Sequence, residues 1–302
     1  MSKYGLPYKG NKSKIAKDIL EALPAGERLV DLFGGGFAIT DCALREFPNK
    51  WGSFVYNDHN KLLPELIERA IGGFYNPERF HPSWISREDF DRLKETDGYI
   101  KFIWSFGNNG NDYLYGRDIE ETRRKEFEFV VNNIPSDITE GVELVTTTLH
   151  DRRIEWSIKT KPRQFSSNNT EEIIFPVGLQ SLAQFESLSR LESLSRLDYR
   201  DFKIKEGDVV YCDIPYEDAI NPTDYGGGFD HKAFQEWAKE QKVPVYYSSY
   251  TKGEVIWQKE VRCVMNSSDA AVYRNEVLFA IGKTKRTKTV IPTEKQISIF
   301  EL

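Results

Sequence analysis

The sequence predicts an α/β protein, a doubly wound and mostly parallel sheet with an inserted, mainly helical domain. Three observations carry this reading. Short apolar runs alternate with helical patterns near both ends of the chain, a glycine cluster follows the first run, and residues 74–175 break the alternation with aromatic, helical and Asn/Gly-rich stretches. The expected division is therefore 1–73 with 176–302 for the sheet domain and 74–175 for the insert.

The elements follow in order. Residues 27–33 form a short apolar run that ends at Gly34-Gly35-Gly36, a strand entering a turn, and residues 37–47 then place Ile39, Cys42, Ala43, Leu44 and Phe47 at helical spacing. Ser53 to Asp58 reads as a second strand closing on an acid. Lys61 to Ile71 reads as a helix stopped by Gly72-Gly73. After the insert, Asp208–Asp213 and Pro244–Ser249 are strand candidates separated by a helix signal over 230–239. Val261–Met265 and Val277–Ile281 adjoin with no helix between them, which predicts an antiparallel hairpin at the sheet edge.

One segment resists this scheme. Glu-Ser-Leu-Ser-Arg-Leu occurs twice in tandem, at 186–191 and 192–197, and apolar residues recur every third position from Leu179 to Leu197. On an α-helix that spacing drifts by roughly 60° per step and builds no continuous buried stripe. A local duplication forming helical turns against the sheet domain is the expectation.

Composition excludes several classes. The 302 residues are 39% hydrophobic and 13% aromatic, enough for a packed core and too aromatic for a disordered chain. Mean hydropathy is −0.54 and no apolar run approaches 18 residues, so a spanning helix and a secretory leader are not expected and the chain reads as cytosolic. Three cysteines and four histidines show no metal-ligand spacing, so neither a disulfide scaffold nor a metal site is expected. The net charge of −6 argues against non-specific coating of nucleic acid, but the basic residues cluster. Lys3 to Lys17 holds five lysines and no acid, Asp151 to Arg163 holds Arg152, Arg153, Lys159, Lys161 and Arg163, and Lys283 to Lys288 carries only positive charge. Each cluster by itself reads as solvated surface; together they are a candidate phosphate footprint.

Three motifs carry chemistry. In Asp31-Leu32-Phe33-Gly34-Gly35-Gly36, glycines after a strand let a ligand approach the backbone. Asp58 closes the next strand, where a carboxylate accepts hydrogen bonds from ribose hydroxyls. Asp213-Ile214-Pro215-Tyr216 ends a later strand and discriminates among functions. An exocyclic amine is a poor nucleophile because its lone pair is delocalised into the ring. A carboxylate from Asp213 and a backbone carbonyl beside Pro215 would accept its two hydrogens and turn the lone pair toward an electrophilic methyl group, while Tyr216 offers a ring for stacking.

With these residues in this order, the chain resembles the Dam-type DNA adenine methyltransferases, especially the small solitary enzymes of bacteriophages and mobile elements. The resemblance runs from Tyr8 to about Phe279, apart from a poorly matched middle. It implies a Rossmann-like methyltransferase sheet, S-adenosylmethionine as cofactor, double-stranded DNA as partner and a target adenine flipped from the duplex. It also implies roles for residues. Tyr8 and Lys12, within Tyr8-Lys9-Gly10-Asn11-Lys12, would hold the methionine end of the cofactor; Asp31, Phe33, Gly34, Gly35 and Gly36 form the glycine motif; Asp58 binds the ribose; and Asp201-Phe202 contacts the cofactor's adenine. Asp213, Pro215 and Tyr216 fall in the catalytic tetrapeptide, and the insert would read DNA, with Asn108, Asn109 and Tyr113 in the Ser105–Tyr115 loop and Arg152, Arg153, Lys161 and Arg163 as candidates. Two positions depart from the pattern, Ile214 in place of the usual first proline and Phe37 where a further glycine is common. A methyltransferase acting on RNA or a free purine, and a non-catalytic DNA-binding protein keeping the same fold, are the alternatives. Recognition sequence, a partner nuclease and the choice between monomer and weak dimer are not legible in the chain.

Overall fold

The computed structural model describes residues 4–76, 79–140, 144–150, 153–158, 172–173, 186–215, 228–249, 254–264 and 271–282. By internal contacts the chain divides into two units. One comprises Met1–Lys14, Gly35–Asp41 and Asn60–Ser189; the other comprises Ile15–Gly34, Cys42–His59 and Arg190–Leu302.

In chain order the first elements are α1 (Ala16–Ala22), β1 (Gly26–Asp31), α2 (Ala38–Glu46), β2 (Trp51–Asn57) and α3 (Leu62–Ile71). Next come α4 (Arg87–Leu93), α5 (Glu120–Asn132), β3 (Leu144–His150), β4 (Arg153–Ile158) and β5 (Glu172–Ile173). The last are β6 (Leu191–Ser195), β7 (Asp208–Cys212), α6 (His231–Glu240), β8 (Val245–Ser249), β9 (Glu254–Val264) and β10 (Ala271–Ile281).

The second unit is built on a seven-stranded sheet in the order β6-β2-β1-β7-β8-β10-β9. From β6 to β8 every neighbouring pair is parallel, and β10 runs antiparallel to both β8 and β9, so the expected edge hairpin is present and longer than its apolar cores suggested. The central strands are buried on both faces, which is why β1, β7 and β8 read as continuous apolar runs rather than alternating ones. Val30, Leu32, Val55, Val210, Cys212, Val245 and Tyr247 form one core with Phe234 and Ala238 of α6. That helix begins where the Asp230 carboxylate accepts the Ala233 N–H at 2.9 Å, and its buried positions 234 and 238 are four apart on one face.

At the amino-terminal end of the sheet, Arg28 pairs with Asp208 through two parallel bonds, Nε to Oδ1 at 2.8 Å and Nη2 to Oδ2 at 2.7 Å, with both residues buried. Glu192 of β6 joins from the side at 3.2 Å and accepts a bond from Ser53 at 3.0 Å. The carboxylate neighbours hold the guanidinium more firmly charged than usual.

The other unit combines α3, α4 and α5 with a short π-helical turn at Tyr99–Ile103 and a separate three-stranded antiparallel sheet, β3-β4-β5. The sheet departs from a mainly helical insert. Its physical reason is local, since Val145-Thr146-Thr147-Thr148 is a β-branched run that favours extended backbone. An aromatic cluster stabilises the helical part: Trp84 stacks on Tyr115 with ring centroids 5.5 Å apart and meets Trp104 and Phe127 edge-on.

The two copies of the hexapeptide adopt different structures. Glu186–Arg190 in the first forms a 3₁₀ turn, whose three residues per turn match the spacing of three, while the second supplies most of β6, paired in parallel with β2. The expectation of helical turns holds for the first copy only.

Candidate active site

Parallel strands expose their carboxyl ends on one edge of a sheet, and ligand groups in open α/β sheets gather there. Three sequence-predicted residues follow the carboxyl ends of adjacent strands. Asp31 pairs with Tyr56 on one side and with Tyr211 on the other, and Phe33, Asp58 and Asp213 follow just past the carboxyl ends of β1, β2 and β7. Phe33, Asp58, Asp213 and Pro215 are half-buried. Asp31 itself is 1% exposed. Its charge and that of Asp213 reinforce burial in pushing the Cys212 thiol well above its ordinary range, which makes Cys212 an inert core residue.

Phe33 is fixed by aromatic neighbours of its own unit. Its ring lies 5.4 Å from Tyr199, 5.7 Å from Phe229 and 5.9 Å from Phe234. Ile214, the departure from the usual proline, has its side chain in the core at 3% exposure, so it contributes packing. Asp201 is exposed and Phe202 is half-buried, on a turn held by the bond from Asp201 N to Asp198 O at 3.0 Å. Asp198 grips Arg200 through Nε at 2.7 Å and Nη2 at 2.8 Å, and these bonds draw its carboxyl down to about 2. Tyr216 lies outside the described residues.

The remaining cofactor candidates belong to the other unit. There the segment from Tyr4 to Ser13 is stitched to residues 35–41: the Leu6 N–H donates to Gly36 O at 2.6 Å and the Gly5 N–H to the Asp41 carboxylate at 2.7 Å. A Cβ on Gly36 would come within 2.7 Å of the Tyr8 Cβ, so this glycine is required by the approach of the Tyr8 segment. Gly35 has a φ of +49°, beside the Tyr8 ring. Phe37 also has a positive φ, +69°, and is 1% exposed: the chain takes the left-handed turn that a glycine would favour and buries a phenyl ring while doing so. Tyr8 is half-buried with its ring edge-on to Phe102 at 5.5 Å, and Lys12 is buried, its ammonium donating to Gly10 O at 3.4 Å.

The DNA-reading candidates divide. Tyr113 is corrected to a structural residue, because it is 6% exposed, its hydroxyl donates to Ile85 O at 2.6 Å and its ring carries the Arg87 guanidinium at 4.7 Å. Asn108 and Asn109 hold the loop together: the Asn108 amide donates to Phe102 O at 2.8 Å, and Asn109 bonds Asp112 and accepts from Asn111 N at 2.8 Å. Both still lie at half exposure on the loop, which also carries Phe106, missed in the sequence, at 64% exposure. Arg153 begins β4, and Arg152, Lys161 and Arg163 lie outside the described residues. Among the described residues no group of three His, Cys, Asp or Glu side chains could hold a metal ion, and no helix is long and apolar enough to cross a membrane.

Residues 8–134 match the model of the D12 class N6 adenine-specific DNA methyltransferase family. The matched stretch contains Tyr8, the glycine cluster, Asp58 and the Ser105–Tyr115 loop. No curated protein matches the chain.

Proposed function

We propose that the chain, whose residues 8–134 match the D12 class N6 adenine-specific DNA methyltransferase model, uses S-adenosylmethionine to methylate the N6 amino group of an adenine flipped out of duplex DNA. The observation that carries the reading is that Phe33, Asp58 and Asp213 all follow the carboxyl ends of three adjacent parallel strands, β1, β2 and β7.

The donor set suits the cofactor. Asp58 offers a carboxylate for two ribose hydroxyls, and Phe33 offers a ring already backed by aromatic neighbours. Tyr8 and Lys12 are the candidates for the methionine end, and Asp201 with Phe202 for the adenine ring. Bound S-adenosylmethionine supplies an electrophilic methyl on a sulfonium.

The chain's own residues prepare the nucleophile. The Asp213 carboxylate and the main-chain carbonyl beside Pro215 accept the two N6 hydrogens, which favours a tetrahedral nitrogen and directs its lone pair at the methyl carbon. The new nitrogen–carbon bond would replace the carbon–sulfur bond of the donor, whose electron pair would remain on sulfur. The surplus amino proton leaves along its hydrogen bond to Asp213 and on to water. Pro215 fixes the backbone that presents the carbonyl. Extruding the adenine costs a few kcal/mol, offset by stacking and backbone contacts, with Tyr216 as the candidate ring.

The test is transfer of labelled methyl from S-adenosylmethionine to duplex DNA, with an adenine-free duplex and an RNA of the same sequence as controls. Label on the adenine-containing duplex alone is expected. Asp213→Ala should lower turnover by at least about a hundredfold while keeping cofactor affinity. Undiminished turnover in that variant would end the proposed mechanism, and label on RNA alone would end the substrate assignment.

A further inference from the structure

We propose that Asn57 is a positioning residue for the cofactor, one that sets the place of Asp58 and of the Phe33-Gly34 turn through its side-chain amide; the inference rests on the assignment of Asp58 and Phe33 to S-adenosylmethionine. A primary amide has two N–H donors and two acceptor lone pairs. Asn57 uses all four. Its Nδ2 donates to Leu32 O and to Leu197 O, each at 3.0 Å, and its Oδ1 accepts from the Ser195 hydroxyl at 2.7 Å and from the Leu197 N–H at 2.9 Å. Its main-chain carbonyl accepts a fifth bond, from the Gly34 N–H at 2.9 Å.

These bonds tie together the exits of three neighbouring strands. Leu32 and Gly34 flank Phe33 on the way out of β1, Asp58 is the next residue after Asn57 on β2, and Leu197 follows β6 and leads into the Asp198–Phe202 turn. Asp58 is bound by its own N–H to Ser195 O at 3.2 Å, so the residue that carries the carboxylate is held from both sides. The amide acts beyond the last paired level of β1 and β2, Asp31 with Tyr56, where the ladder no longer fixes the backbone. Asn57 is 1% exposed, and a substitution that removes the amide hydrogens deprives the buried Leu32 carbonyl and the part-buried Leu197 carbonyl of their donor.

The role predicts a split in kinetics that general destabilisation does not produce. Asn57→Asp keeps the shape but sets a carboxylate oxygen against the carbonyls of Leu32 and Leu197. Ser195→Ala removes one bond to Oδ1 from a half-buried strand-edge position. For wild type, both variants and Asp58→Ala, we would measure the dissociation constant and KM of S-adenosylmethionine, kcat at saturating cofactor, and KM for duplex DNA, well below each melting temperature. Asn57→Asp should raise the cofactor constants about tenfold and Ser195→Ala about two- to threefold, with kcat and the DNA KM within twofold of wild type. Should Asn57→Asp fail to fold, Ser195→Ala decides alone: an unchanged cofactor constant overturns the proposal. Changes in kcat and both KM values together would also overturn it, because they mark general damage. If Asp58→Ala binds cofactor as wild type does, the assignment of the cofactor site itself fails; if Asp58→Ala weakens binding and the Asn57 and Ser195 variants do not, only the positioning role fails.

Discussion

Gly34 lies so close to the ring of Tyr56 that a methyl group on its Cα would overlap the Cδ2 and Cε2 carbons. Tyr56 is fully buried and pairs with Asp31 in the sheet, so the ring has nowhere to retreat. The glycine that sequence analysis assigned to ligand approach is thus also demanded by the protein itself. Gly34→Ala should cost about 2 kcal/mol or more in urea unfolding, as overpacked core sites do, and should weaken cofactor binding by displacing Phe33. A variant as stable as wild type would show that Tyr56 can move.

Phe37 sets two effects against each other. Left-handed backbone costs a non-glycine residue roughly 1–2 kcal/mol, and removing a buried phenyl ring costs about 3–5 kcal/mol. With φ at +69° and 1% exposure, both apply in full. Packing wins, so Phe37→Gly, the change toward the pattern common in Dam-type enzymes, should destabilise the protein by about 2 kcal/mol. A gain in thermal stability would mean that backbone strain dominates.

Arg28 and Asp208 are buried together with two parallel bonds, and truncating one partner leaves an uncompensated charge. Arg28→Ala should cost about 3–5 kcal/mol in chemical denaturation. A double substitution, Arg28→Met with Asp208→Leu, should recover most of that loss. The pair sits at the amino-terminal ends of β1 and β7, so the folded fraction of either variant should methylate DNA normally.

Much of the fold was legible because its signals are local. Continuous apolar runs in β1, β7 and β8 report strands buried on both faces, and acids at strand ends, Asp58 and Asp213, stand out against them. What escaped depends on contacts distant in sequence. Asn57 resembles any polar residue at a strand end until Leu197, 140 residues away, closes on its amide. Nothing in a single phenylalanine announces the left-handed backbone at Phe37. Tyr113 sits in an Asn/Gly-rich loop that reads as surface, yet Arg87 and Ile85 bury it. The β-branched run at Val145–Thr148 was a legible strand signal submerged in a region of helical pattern.

Asp198 makes acid stability testable. Its carboxyl is drawn from an ordinary 3.8 to about 2, first by the side-chain bond from Arg200. A group whose folded value is depressed stabilises the protein above its unfolded value, and that contribution fades as pH falls from about 4 through 2. In urea titrations at successive pH values, Asp198→Asn should lose less stability than wild type between pH 4 and 2. Parallel acid limbs for the two proteins would show that the Arg200 bonds contribute nothing in solution.

The tandem hexapeptide gives the same six residues two fates, and the difference lies in partners rather than propensity. In the second copy Glu192 meets Arg28 and Ser53, Ser195 meets Asn57, and Leu194 pairs with Tyr56; these contacts select extended backbone from a sequence that forms a 3₁₀ turn one copy earlier. Deleting either copy yields the same protein, in which Phe185 precedes the retained Glu-Ser-Leu-Ser-Arg-Leu where Leu191 did before. Every one of those side-chain partners is kept, and a phenylalanine is a good strand residue in place of leucine. The single-copy chain should therefore still form β6, with stability within about 1 kcal/mol of wild type and an unchanged dissociation constant for S-adenosylmethionine, read by thermal melts and calorimetric titration. Loss of cofactor binding in a chain that remains folded would show that the strand needs the first copy as well as its own contacts.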